Sequence, residues 1–180
     1  MKPGGGGAKG ASFEREICVK LSEWISGGTS KDLLWRSAMS GGRATVMKRK
    51  GQTVGNQLGD ISAVGEEGHR LTSRFVVECK CVASLDLVPF LYGKPRGRLY
   101  AFWQKLTSEV AGTGKQPMLI ARQNRYPTLF VMDSGFYAGA FDGLFTTSLL
   151  PLFEASHFGV VFWNLDDFLQ QTNFEGGEST

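Results

Sequence analysis

Three residues in the middle of the chain, Asp60, Glu78 and Lys80, have the types and spacing to hold a hard cation against a phosphate ester. The surrounding stretch, GNQLGDISAVGEEGHRLTSRFVVECKCVA, reads as a strand opening on Asp60, a polar turn at GEEGH, and a second strand carrying glutamate, any residue, lysine. Successive side chains of a strand point to opposite faces, so Glu78 and Lys80 share one face while Val77, Cys79 and Cys81 share the other. A charged pair inside RFVVECKCVA is costly to desolvate without partners. Asp60, delivered by a hairpin running from Asp60 to Val82, could share a cation with Glu78. The backbone carbonyl of Cys79 would add a third oxygen and waters would complete the shell, a donor set suited to Mg2+. Lys80 would orient or activate the attacking water and offset charge on the phosphate. Acid-x-lysine alone is common on exposed strand faces; Asp60 one strand earlier makes the pattern more specific.

The elements that must position these residues fit one domain. With 180 residues, 42% hydrophobic and 21% charged, the chain can bury a full core without metal or disulfide staples. We expect a flexible glycine-rich stretch over 1–11, a single domain over 12–173 and a tail over 174–180. The net charge of +3 is too small to argue for a polyanionic partner, so the placement of the cations matters more than their sum. Three cysteines make no even disulfide framework and point to a reducing compartment. Two histidines far apart offer no zinc-ligand spacing. There is no signal-peptide pattern and no apolar run long enough to span a bilayer, so a cytoplasmic location is expected, without a membrane partner.

In chain order, SFEREICVKLSEWIS predicts a helix from Ser12 with Phe13, Ile17, Cys18, Leu21, Trp24 and Ile25 on one stripe and Glu16, Lys20 and Glu23 opposite. Glu14 falls inside the apolar stripe. Its carboxylate needs a metal, an arginine or water reaching a frayed helix start. DLLWRSA predicts a strand ending at Arg36, and the next loop carries Arg43, Lys48, Arg49 and Lys50 among glycines and polar residues, suited to tracking phosphates or simply solvated. His69 lies in the GEEGH turn and is expected in solvent. A second basic stretch, YGKPRGR, holds Lys94, Arg96 and Arg98. It precedes a helix packed through Leu99, Phe102, Trp103, Leu106 and Val110, beside which lie Gln104 and Lys105; Gln104 could reach the site, though simple solvation is the favoured reading. GTGKQP lacks the earlier glycine and the strand-to-helix order of a phosphate-binding loop. PMLIAR and TLFVMD predict two strands, and the apolar stretch from Ser134 to Ser156 must bury as local helix or as a subunit interface. GVVFWN predicts a last strand and LDDFLQQ a closing helix capped by Asn164.

The order helix, strand, strand, strand with acid-x-lysine, helix, strand resembles the PD-(D/E)XK nuclease superfamily. The nearest pattern is that of archaeal-type Holliday junction resolvases, seen in GASFEREI, LLWRSAMSGG, GDISAV and VVECK. The resemblance implies an α/β, restriction-endonuclease-like core, a central mixed β-sheet flanked by helices in the order αβββαβ. It implies Asp60 and Glu78 as metal ligands, Lys80 as the catalytic lysine, Glu14 as an additional acid at the metal site, reaching it through water, and Arg15 and Arg36 as phosphate or junction contacts. The cofactor implied is Mg2+, replaceable by Mn2+, and the partner is DNA, four-way junctions in particular, cut by a homodimer. The same core on ordinary or damaged duplexes, or a non-catalytic DNA-binding protein, are the alternatives. Two features depart from the resolvase pattern: the long link between Arg36 and Asp60, and the apolar region after Asp133. The FWQKL helix followed by GKQPMLIARQNR also resembles small nucleases of bacteriophages, which would place the chain in a host cytoplasm.

Overall fold

The computed structural model describes residues 5–37, 58–140, 145–146 and 150–174. Helix α1 spans Gly5–Ile25, beginning seven residues before the expected Ser12. The expected stripe is its buried face: Phe13, Ile17, Cys18, Leu21, Trp24 and Ile25 all enter the core. Each fully buried side chain of this size contributes roughly 1.5–3 kcal/mol. Strand β1 (Leu34–Arg36) pairs antiparallel with β2 (Ile61–Ala63). Helix α2 (Gly65–Thr72) leads to β3 (Phe75–Val82), which is followed by the short α3 (Leu87–Leu91) and the longer α4 (Arg98–Val110). Strands β4 (Gln116–Gln123) and β5 (Thr128–Asp133) form a hairpin, and α5 spans Ser134–Ala140. The chain continues through β6 (Phe145–Thr146), β7 (Phe153–Ala155), β8 (Val160–Asn164), α6 (Leu165–Gln171) and β9 (Asn173–Phe174).

Five strands make the central sheet in the order β3-β4-β5-β8-β7, with β3 and β4 parallel and the other neighbours antiparallel. Strand alternation sends Phe75, Val77 and Cys79 of β3 toward α1 and α6, together with Ile120, Phe130 and Trp163. The opposite face gathers Val76, Leu119, Val131 and Phe162 under Leu99, Trp103, Leu106 and Val110 of α4. This is the expected α/β, restriction-endonuclease-like arrangement of a mixed sheet flanked by helices. Glu78 and Lys80 follow Val76 on the α4 face and precede Val82, which packs on the same apolar layer, so the charges are set within a covered face of β3.

The expected hairpin from Asp60 to Val82 does not form. β2 pairs with β1, and the supposed GEEGH turn is the start of α2. Glu66 and Glu67 in its first turn and His69 and Arg70 in its last complement the helix dipole, while Leu71 is buried. His69 is exposed, as expected, but on a helix. Gly65 does make a turn, at φ +73°, whereas Gly68 sits where the helix presses on β1: a Cβ there would lie 2.1 Å from the Leu33 carbonyl oxygen. In the apolar stretch after Asp133, Phe136 and Tyr137 pack on the core and Phe153 stacks on Phe162 at 4.3 Å between ring centroids. Leu150 and Leu152 are exposed. The side chains of Phe141, Leu144, Phe145 and Leu149 lie outside the described residues. The closing helix is capped as expected, with the Asn164 side chain accepting from the backbone N–H groups of Asp166 and Asp167.

Gly68→Ala should force α2 away from β1 and lower stability by about 1–3 kcal/mol, read as a drop in the urea midpoint without a change in slope. An unchanged midpoint would show that α2 is not packed on Leu33.

Candidate active site

The site is built on the backbone of Asp60. Its N–H donates to the Val77 carbonyl at 2.8 Å, tying the β1–β2 ribbon to the central sheet, and its own carbonyl accepts from the Ser37 N–H at 2.8 Å. The preceding Gly59, at φ +83°, allows this approach, because a Cβ there would lie 2.6 Å from the same Val77 oxygen. The carboxylate is then held in turn, its Oδ2 accepting from the Cys79 N–H at 2.9 Å.

Around Lys80 Nζ stand three oxygens from three residues. Glu78 Oε1 is at 2.5 Å, the Cys79 carbonyl at 3.1 Å and Asp60 Oδ2 at 3.3 Å. Asp60 is 7% exposed and Glu78 5%, so neither carboxylate is neutralised by solvent. A second lysine, Lys105 of α4, reaches the same Glu78 Oε1 at 3.3 Å and Glu109 at 3.4 Å. The Phe102 ring lies 5.9 Å from Lys80 Nζ, an aromatic face turned to the ammonium.

Burial and the neighbouring Glu78 charge push the Asp60 carboxyl up to about 6, against the pull of Lys80 and the Cys79 N–H. Burial works against the Lys80 ammonium, but the charges of Asp60 and Glu78 outweigh it and raise its pKa. Lys105 is raised in the same way by Glu78 and Glu109. Burial holds the Cys18 thiol at about 12 and Cys79 well above the usual thiol range, so neither is a thiolate nucleophile. Three oxygens converging on one ammonium, two of them carboxylates that repel each other, form a hard-donor set that fits a divalent cation. Among the described residues no three His, Cys, Asp or Glu side chains are grouped to hold a metal, so the set is two acids and a carbonyl.

Glu14 does face inward, with its side chain 13% exposed, and of the three partners its position called for the structure supplies an arginine. Arg36 Nε donates to its Oε2 at 2.5 Å. Glu14 is therefore not grouped with Asp60 and Glu78, although its charge still acts on Asp60. Arg15 is exposed on α1. Lys94 and Arg96 are exposed beyond α3, and Arg96 lines a separate, largely apolar cavity of about 820 Å3 that holds none of the site residues. Arg43, Lys48, Arg49 and Lys50 lie outside the described residues. On α4 Gln104 is exposed, in keeping with the solvated role favoured for it, and Lys105 reaches Glu78. Phe102, Lys105 and Glu109 occupy one flank of the helix at spacings of three and four, and Gln104 occupies the other.

Because the folded chain binds the Asp60 proton more tightly than an unfolded one, this group stabilises fully below about pH 4. Its contribution fades as pH rises through about 6. In the absence of metal, Asp60→Asn should therefore gain stability relative to the parent between about pH 4 and pH 7.5, by on the order of 2–3 kcal/mol. Urea unfolding of both proteins in EDTA across that range checks it; a pH-independent difference would contradict the upward shift that burial and the Glu78 charge impose on Asp60.

Over residues 6–175 the chain matches the family model described as "Phage putative PDDEXK endonuclease". No curated protein and no solved structure matches it. With the match covering nearly the whole chain and the acid, acid-x-lysine set assembled at one point, the chain belongs to this phage PD-(D/E)XK endonuclease family and is a nuclease of that superfamily.

Proposed function

We propose that the chain is a Mg2+-dependent DNA endonuclease, with Mn2+ able to substitute, that cuts branched DNA, four-way junctions above all, as a homodimer. The observation that carries the catalytic part is the convergence of Asp60 Oδ2, Glu78 Oε1 and the Cys79 carbonyl on Lys80 Nζ. These three oxygens would hold the cation, which supplies positive charge against the phosphate and acidifies water. Lys80 then has its acceptors engaged elsewhere, and its ammonium turns to the substrate. There it orients the attacking water and offsets the charge that builds as phosphorus becomes pentacovalent. Lys105 holds Glu78 in register from the α4 side and acts as a positioning residue. Glu14 acts on the site through water and through its pairing with Arg36, and Arg15 and Arg36 meet the DNA backbone.

Support for branched DNA comes from the resolvase-like order of GASFEREI, LLWRSAMSGG, GDISAV and VVECK. A twofold dimer supplies two sites related by symmetry, as paired nicks on opposing strands require.

Incubation of a labelled four-way junction beside a linear duplex of the same sequence tests both parts. We expect paired symmetric nicks in the junction with Mg2+, none in EDTA, and a loss of about 10²–10³-fold in Lys80→Ala. Equal cutting of the two substrates would make the protein a general duplex nuclease. Binding of the junction without turnover in Mg2+ or Mn2+ would leave a DNA-binding protein. Lys105→Ala should cost about 10–100-fold in activity or metal affinity, as loss of a group that orients a metal ligand does, with Lys105→Arg recovering part of it. Full activity in Lys105→Ala would remove that residue from the mechanism.

A further inference from the structure

We propose that Trp35 is a stacking platform for an unpaired nucleobase of the DNA, on the β1–β2 ribbon whose second strand begins directly after Asp60. The assignment rests on the nuclease reading for the identity of the ligand. In β1 the alternation sends Leu34 into the core and Arg36 onto Glu14, and so turns Trp35 outward, where it is 64% exposed. The other three tryptophans of the chain, Trp24, Trp103 and Trp163, are buried. An indole left in water forfeits the burial that gives tryptophan its value to a fold.

What surrounds the ring narrows its occupant. Trp35 lines a cavity of about 470 Å3 together with Arg15 and Val19 of α1 and with Lys31, Asp32 and Arg36. Three cations and one carboxylate therefore frame the opening. Lys31 is paired with Glu23 at 3.0 Å and Arg36 with Glu14, while Arg15 makes no ion pair among the described residues. A flat π face beside Arg15, the cation of this frame that makes no ion pair among the described residues, complements a nucleotide, whose base is flat and apolar on its faces and whose phosphate is anionic. A protein partner would call for a broad continuing apolar surface; the exposed apolar side chains beside the ring are Val19 in the cavity and Val64 on the same face of the ribbon.

The position also connects to the chemistry. Trp35 stands opposite Ser62 in the ribbon, two residues beyond Asp60, and its neighbour Arg36 holds the Glu14 carboxylate whose charge acts on Asp60. In an intact duplex the base faces are covered by stacking. A platform at this place therefore favours DNA whose bases are unstacked, at a branch point, a flap or a single-stranded end.

Intrinsic fluorescence of the full chain in EDTA provides the test, since the three buried tryptophans leave Trp35 as the accessible fluorophore. Acrylamide is expected to quench one accessible component that Trp35→Phe removes. A short oligothymidylate is expected to quench that component and protect it from acrylamide, whereas a blunt hairpin duplex is not. Trp35→Ala should weaken oligothymidylate binding about tenfold, and Trp35→Phe should restore most of it, because an aromatic face is what the base requires. Thermal unfolding should be nearly unchanged in both variants, as the side chain is exposed. The proposal is overturned if acrylamide finds no accessible tryptophan, if duplex and oligothymidylate quench equally, or if Trp35→Ala binds as tightly as the parent. Protection that follows protein concentration instead of DNA would assign the ring to an interface between chains and also overturn it. Failure of the nuclease reading is separable: protected Trp35 in a chain that cuts nothing leaves the platform standing, and junction cleavage with an unquenched Trp35 removes the platform alone.

Discussion

Two carboxylates buried beside one another against the middle of strand β3 repel, and the Lys80 ammonium is the counter-charge placed between them. The arrangement is possible because Asp60 does not arrive as a side chain alone. Its backbone is already spent on Val77 and Ser37, and its carboxylate accepts from the Cys79 N–H, so it has no freedom to swing away from Glu78. A buried charge that cannot relax must be compensated where it stands. The local fold supplies that compensation from three directions: Lys80 from the same strand, Lys105 from α4, and the peptide dipole of Cys79 from β3 itself.

The two layers on either side of the sheet have different tasks. The α1 face is a continuous apolar contact from Phe13 to Trp163, and its ion pairs lie at the margin, where Arg122 makes a bidentate contact with Glu16 while resting 4.6 Å over the Phe13 ring. Such half-exposed pairs add modestly to stability and mainly fix orientation. On the α4 face of β3 the charges of Glu78 and Lys80 stand between the apolar Val76 and Val82, and Phe102 and Lys105 are the residues of α4 that reach them. The ribbon of β1 and β2 is tied to β3 through the Asp60 N–H, with Leu34 anchored inward and Trp35 outward.

Elements whose signal is carried by their own period were legible in the sequence. The stripe of α1, the alternation of β3, the apolar face of α4 and the cap at Asn164 each repeat at 3.6 or 2 residues or follow cap chemistry, and each is found where expected. The helix α2 was not legible, because eight residues holding two glycines and two adjacent acids carry the composition of a turn. Gly65 does turn the chain, but Gly68 is there for a different reason, the close approach of the Leu33 carbonyl, which belongs to another element.

What the amino-acid order determined by itself was the candidate set on β3: Glu78, the Cys79 carbonyl and Lys80 share one strand and their chemistry follows from residue type and alternation, whereas Asp60 is brought to them by the contact of its backbone with Val77. Which partners surround them was decided only by tertiary structure. A helix has two flanks at equal angles from its apolar face, and nothing local distinguishes Gln104 from Lys105 until α4 lies across β3 on one side. Glu14 needed a partner, and whether that was a metal or Arg36 depended on β1 packing beside α1. Strand alternation likewise sets Trp35 against Leu34. Which of the two faces is covered depends on where α1 and the sheet lie, because burial is a property of the assembled layers and not of the strand.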